Sequence, residues 1–148
     1  MKKNNIDFIV FALKQMKEAQ KFGFTANGCN RNLKLALNHY WQAKELGIHV
    51  FIKHKLRRTK AAYKTSLKNT IVEHAVPTQV IVNMLLKLKK IENKKVKRIL
   101  KKYWQVMLVT KKEHLKLNSK KLNLTYKMPG NWNKKDLFAR YRLAKIKF

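Results

Sequence analysis

The chain has 148 residues, with 36 Lys and Arg against 7 Asp and Glu, so its formal net charge is +29. Hydrophobic residues make up 45%, which is enough for a packed core and argues against a wholly disordered chain. The single cysteine, Cys29, excludes an internal disulfide and a cysteine-built zinc site, and favours an intracellular location. No apolar run approaches the ~20 residues of a membrane span and no signal peptide is recognised, so no membrane association is expected.

The excess of positive charge favours a polyanionic partner, because a compact chain of this charge repels itself unless it meets negative charge. Nucleic acid is the leading candidate. The 30 lysines far outnumber the 6 arginines. Lysine binds phosphate as a point charge, whereas arginine reads base edges through two hydrogen bonds. The composition therefore predicts contacts to the phosphate backbone more than recognition of base sequence, and it leaves a protein partner or a homo-oligomer open.

Apolar residues at a spacing of 3.6 predict three helices in the first half of the chain, over residues 6–22, 31–46 and 50–68. Gly23 and the Asn27-Gly28 pair predict a loop after the first helix, and Gly47 predicts the end of the second. The third stretch carries a run of basic residues.

Near residue 70 the sequence pattern changes from helical spacing to a strand-like run. A β-branched stretch over 70–77, ended by Pro77, predicts a strand, and residues 106–110 predict a second one. Helical spacing returns between them, over 78–89 and in a basic amphipathic stretch over 87–102 that forms one helix or a pair broken near Asn93.

A further helix is predicted to begin directly after the second strand. Thr110 is its expected N-cap and Glu113 its capping-box partner. Pro129-Gly130-Asn131 predicts a turn, and residues 133–147 predict a terminal helix.

These elements predict a mainly α fold with a small β component (α+β). We expect a helical basic lobe over 1–70. The second half, 71–148, would hold both strands, a helical insert over 78–104 and the C-terminal helix over 133–147.

Two of the five glutamates directly precede a histidine, as Glu73-His74 and Glu113-His114. Roughly 0.2 such pairs are expected by chance. The first pair closes a predicted strand, and His114 lies one turn into the helix that follows the other strand. This arrangement can direct Glu73, His74 and His114 at one spot.

The stretch Glu73-His74-Ala75-Val76-Pro77 resembles the opening motif of the HNH nucleases, in the His-Me finger or ββα-metal superfamily. Residues 105–114 resemble the closing motif, in which an Asn stands nine positions before a His. The resemblance covers about residues 71–118. Gln105 stands where the family usually has Asn, the zinc-binding cysteine pairs of many members are absent, and the insert is longer than the usual loop.

The resemblance implies a metal-dependent DNA endonuclease with a ββα-metal-like C-terminal half, and DNA is therefore favoured over RNA. His74 would be the general base and Gln105 would orient it. Glu73 and His114 would hold one Mg²⁺ or Mn²⁺ ion. Lys111 and Lys112 would face the phosphate.

The phosphate-binding residues are predicted on the Lys-rich helices and at the start of the helix after the second strand: Arg57, Arg58, Lys60, Lys94, Lys95, Lys97, Arg98, Lys101, Lys111 and Lys112. Two other functions remain open at this point. The chain could be a non-catalytic DNA- or RNA-binding protein, such as a ribonucleoprotein component or a degraded nuclease fold. It could also be an interaction protein that blocks or recruits another nucleic-acid enzyme.

Overall fold

The computed structural model describes residues 4–48 and 50–148 and has the predicted fold class, mainly α with a small β component. The α-helices are α1 (Asn5–Lys21), α2 (Ala26–Ala36), α3 (Lys60–Tyr63), α4 (Thr78–Leu86), α5 (Asn93–Tyr103), α6 (Lys111–Leu117) and α7 (Ala139–Leu143). A π-helix spans Leu37–Glu45, and 3₁₀ helices span Val50–Lys55 and Leu67–Asn69. The strands are β1 (Thr70–His74) and β2 (Val106–Thr110). Among the described helices, none combines the length and apolar character needed to cross a membrane.

The described residues divide into two compact units. Unit 1 draws on Met1–His49 and Ile81–Lys102, and unit 2 on Val50–Val80 and Tyr103–Phe148. This division differs from the boundary expected near residue 70, because the helical insert belongs with the N-terminal helices. Within unit 1, Lys17 donates to the carbonyl of Leu88 (2.5 Å).

In unit 1, the predicted first helix is confirmed by α1. Asn4 caps it, and Asp7 completes a capping box. The predicted loop at Asn27-Gly28 is wrong, because Thr25 caps α2 by accepting from the backbone N–H of Gly28 (3.2 Å) and draws both residues into the first turn.

The second predicted helix is confirmed over most of its length, since α2 runs directly into the π-helix. That continuous stretch buries Leu33, Leu37 and Trp41. Gly47 lies just beyond it with a φ of 64°, the left-handed conformation of a glycine that ends a helix.

In unit 2, the single helix predicted over 50–68 is wrong. The backbone around Arg58 forms a parallel bridge to β2 at Leu108. The N–H of Leu108 donates to the carbonyl of Arg57 (2.8 Å), and the N–H of Thr59 donates to the carbonyl of Leu108 (3.0 Å). Because these backbone groups bond to a strand, they cannot complete the i→i−4 ladder of a helix.

Both predicted strands are confirmed. They pair antiparallel, with Glu73 opposite Met107 and His74 opposite Val106. One hydrophobic cluster of unit 2 draws on β2, α6 and the C-terminal region: Met107, Val109, Leu117, Leu124, Tyr141, Ala144 and Ile146, with Ile71 of β1 packed against them.

The terminal helix is shorter than predicted. The turn after Pro129 is present, with the N–H of Trp132 donating to the Pro129 carbonyl (3.0 Å). Lys134 then adopts a φ of 65°, and the Asp136 carboxylate accepts from the N–H of Phe138 (3.1 Å). These local conformations are incompatible with a continuous helix from residue 133, so only α7 forms.

Candidate functional site

The site is built around a contact between the end of β1 and α6. Glu73 Oε2 and His114 Nδ1 lie 2.7 Å apart, although 41 residues separate them in sequence. The Glu73 side chain is 14% exposed and that of His114 is 32% exposed, so solvent reaches the pair. Two of the predicted site residues are therefore in direct contact.

The two residues of the second Glu-His pair have different roles: Glu113 caps α6, and His114 contacts Glu73. Glu113 forms the predicted capping box, accepting from the N–H of Thr110 (2.8 Å) while Thr110 Oγ1 accepts from the N–H of Glu113 (3.1 Å). Thr59 Oγ1 also donates to Glu113 (2.7 Å). Glu113 therefore fixes the start of α6, and this places His114 one turn along, opposite Glu73.

Arg140 is a further residue of the site, which sequence reasoning missed. It is fully buried on α7, and its guanidinium pairs with Glu73 Oε1. A lone arginine in a lysine-rich chain carries no sequence signal for such a role, although buried arginines usually have carboxylate partners.

Asn118, the C-cap residue of α6, is the second missed residue. Its amide nitrogen lies 2.9 Å from His114 Nε2. With Glu73 accepting from Nδ1–H, Nε2 carries the lone pair and accepts from the amide. The spacing of four residues places both side chains on one face of α6 and is the signal that could have found Asn118.

His74, the last residue of β1, directly follows Glu73, and neighbouring side chains on a strand point to opposite faces of the sheet. Its ring packs edge-on against Trp104, with ring centroids 4.8 Å apart and an interplanar angle of 84°. Burial lowers the pKa of His74 to about 4; the Glu73 charge opposes this shift and the Arg140 charge adds to it. At neutral pH the imidazole is uncharged, and the burial that keeps it so makes it a weaker base than an exposed histidine.

The lowered pKa predicts a pH-dependent stability. The pKa of His74 is about 4 in the folded protein and about 6.5 in an unfolded chain, so the unfolded chain takes up the proton first. The stability contributed by neutral His74 is complete above pH 6.5 and falls by about 1.4 kcal/mol per pH unit as the pH drops toward 4. We expect urea unfolding at pH 7 and pH 5 to show a smaller difference for His74→Gln than for the wild type. An equal difference in both proteins would contradict the prediction, and His54→Gln, at an exposed position, is the control.

Gln105 lies next to the end of β1. Its carbonyl accepts from the N–H of Ala75 (2.8 Å), which extends the strand pairing by one residue beyond His74. The side chain is half-buried. Its expected role in orienting His74 stays a prediction.

The predicted phosphate-binding residues of unit 2 lie on several short segments. The Arg57 guanidinium packs over the rings of Phe138 (5.4 Å) and Phe148 (5.7 Å), and that of Arg58 packs over Tyr63 (5.6 Å). The remaining three, Lys60, Lys111 and Lys112, are exposed.

In unit 1, the predicted basic residues share α5. One side of the helix is buried through Val96 and Leu100. The other side lines an open groove of about 490 Å³ with five cationic residues: Lys94, Lys97, Arg98, Lys101 and Lys102. Lys97 of this groove also pairs with Glu45 (3.8 Å), and Lys95 pairs with Glu92 (3.1 Å). The helix therefore presents a concentrated band of positive charge.

A divalent cation at the Glu73–His114 contact would have to replace the proton that Nδ1 shares with Glu73, since a protonated ring nitrogen has no lone pair for a metal. A carboxylate oxygen and an imidazole nitrogen lie 2.7 Å apart, close to the ~3 Å between neighbouring ligands of an octahedral Mg²⁺ ion. Within the described part of the chain, no cluster of three His, Cys, Asp or Glu side chains is arranged to hold a metal. An ion at this pair would therefore have two protein ligands, and waters and phosphate would complete its shell.

Comparison of the chain with protein-family models, curated proteins and solved structures finds no match. The geometry of the site and the charge of the chain are therefore the observations that bear on function.

Proposed function

We propose that the protein is a nucleic-acid-binding protein and an HNH-like, metal-dependent endonuclease that hydrolyses phosphodiester bonds in DNA. The observation that carries this proposal is the 2.7 Å contact between Glu73 and His114 on a strand–strand–helix unit. The order of the elements, the acidic residue before His74 and the capped helix bearing His114 agree with the resemblance to HNH nucleases. The expected intracellular location stays a prediction.

In this mechanism Glu73 and His114 would hold the Mg²⁺ or Mn²⁺ ion through a carboxylate oxygen and a deprotonated ring nitrogen. When bound, the cation stabilises the negative charge that develops on the phosphate and on the leaving oxygen. His74, uncharged at neutral pH, accepts the proton of the attacking water. Lys111 and Lys112 are exposed at the start of α6 and bind the phosphate by charge.

The basic groove of α5 supports the binding part of the proposal. Its cations are spaced along one side of a helix, where Lys94, Arg98 and Lys101 follow one another at three- and four-residue intervals. Such a band matches the repeating charge of a phosphate backbone and carries no information about base sequence. We propose that this band binds the phosphate backbone of DNA.

A second candidate function is non-catalytic binding of DNA or RNA. It is favoured by the engagement of both Glu73 oxygens, one by Arg140 and the other by His114. A carboxylate paired in this way can serve the structure alone. This function would retain the binding surface of α5 and require no metal.

Metal removal tests the two functions against each other. Supercoiled plasmid incubated with the purified protein should be nicked in Mg²⁺ or Mn²⁺ and left intact in EDTA, because the cation supplies the charge stabilisation. DNA binding should persist in EDTA and weaken linearly with the logarithm of salt concentration. Binding without nicking under every metal condition would exclude the endonuclease and favour the non-catalytic protein; a matched RNA substrate tests the preference for DNA.

A further inference from the structure

Arg140 is buried completely, yet it lies 67 residues from Glu73 and outside both HNH-like motifs. A guanidinium is retained in a protein interior only when its donors are paired. Here the pairing is extensive. Nε donates to the carbonyl of Ala75 (3.0 Å), and Nη1 donates to the carbonyl of Leu124 (2.7 Å). Nη2 donates both to Glu73 Oε1 and to the carbonyl of His74.

Three of these four acceptors belong to consecutive residues, Glu73, His74 and Ala75. One planar group therefore holds the Glu73 carboxylate and also the backbone from which His74 projects. Because Arg140 donates to Oε1 of Glu73, the other carboxylate oxygen, Oε2, is the one that contacts His114.

We infer that Arg140 is a positioning residue that holds Glu73 and His74 in place for catalysis, an inference that rests on the proposed endonuclease function. It touches neither the DNA nor the attacking water, and it acts through the residues that it orients. Its fork of five N–H donors reaches four acceptors in different directions, which the single ammonium of lysine cannot do.

Arg140→Lys tests this inference, because it retains the charge and removes the fork. Arg142→Lys is the matched control: Arg142 lies on the same helix but is exposed, and it pairs with Asp136 at the surface (2.8 Å). In the plasmid-nicking assay, Arg140→Lys should lower kcat by about 10- to 100-fold, the usual effect of losing a residue that orients a ligand. The KM for DNA should stay within about two-fold of the wild type, because no phosphate contact is lost.

A second measurement does not depend on activity. The ring ¹⁵N signals of His74 and His114 in metal-free protein report their positions and the tautomer of His114. Arg140→Lys should shift both sets of signals, and Arg142→Lys should leave both unchanged. A structural role alone would lower the melting temperature of Arg140→Lys while leaving kcat and the ring signals as in the wild type, and that result would overturn the inference.

The two proposals fail differently. If the wild type nicks DNA and Arg140→Lys matches its kcat, the positioning role is wrong and the endonuclease stands. If the wild type does not nick DNA, the endonuclease is wrong, and unchanged ring signals in Arg140→Lys would overturn the positioning of Glu73 and His74 as well.

Discussion

His74→Ala should lower the rate of plasmid nicking by about 10²- to 10⁴-fold, the range for loss of a general base. The imidazole is held against Trp104 and is uncharged at neutral pH because burial lowers its pKa to about 4. An alanine side chain cannot accept the proton of the attacking water. The loss should appear in kcat, measured under saturating Mg²⁺, with DNA affinity within about two-fold of the wild type.

The control is His54→Ala, since His54 is an exposed histidine of the same unit and lies outside the site. Its nicking rate should match that of the wild type. If His74→Ala and the wild type have equal activity in both Mg²⁺ and Mn²⁺, His74 is not the general base and the endonuclease proposal is wrong. His74→Gln, which can hydrogen-bond but cannot take up the proton, should be as impaired as His74→Ala.

Glu73→Gln should lower the free energy of unfolding by about 3 kcal/mol, because breaking a buried ion pair leaves one partner without its counter-charge. The pair joins side chains that are 0% (Arg140) and 14% (Glu73) exposed, so water screens the remaining charge poorly. The change retains the shape of the side chain and one acceptor oxygen. Amide hydrogen exchange of the β1–β2 strand pair measures the effect within unit 2.

Asp136→Asn is the matched control, because it removes the carboxylate charge from the other arginine pair of unit 2. Arg142 and Asp136 have side chains that are 63% and 36% exposed. A surface pair of this kind contributes little to stability, because water and salt screen the two charges. Equal losses of stability in Asp136→Asn and Glu73→Gln would mean that the Arg140–Glu73 pair behaves as a surface pair, contrary to the prediction.

The elements that the sequence predicted well are those governed by local rules. The β-branched run before Pro77 forms β1, and the Thr110–Glu113 capping box starts α6 where the pattern indicates. Strand propensity and capping hydrogen bonds involve residues within a few positions of each other. The closeness of Glu73 and His114 agrees with these predictions, since Glu73 lies near the end of the predicted strand and His114 one turn into the predicted helix.

The sequence predicted two kinds of element wrongly. In one, the backbone hydrogen-bonds to a distant segment; in the other, a side chain hydrogen-bonds to the nearby backbone and changes where a helix begins. Residues 50–68 carry a helical pattern, but Leu108 takes up the backbone groups of Arg57 and Thr59. Asn27-Gly28 reads locally as a turn, yet the Thr25 cap makes the same two residues the start of α2. Propensity is a weak preference that such hydrogen bonds override.

The charge of +29 and the two Glu-His pairs are properties of the sequence alone. They predict a polyanionic partner and a candidate site that includes Glu73 and His114. The tertiary structure decided that Glu73 and His114, 41 residues apart in sequence, come into contact, while Glu113 caps α6 as the sequence predicts. It also decided the role of Arg140: a buried guanidinium needs several acceptors at once, and only the folded chain brings residues 73–75 and 124 around it.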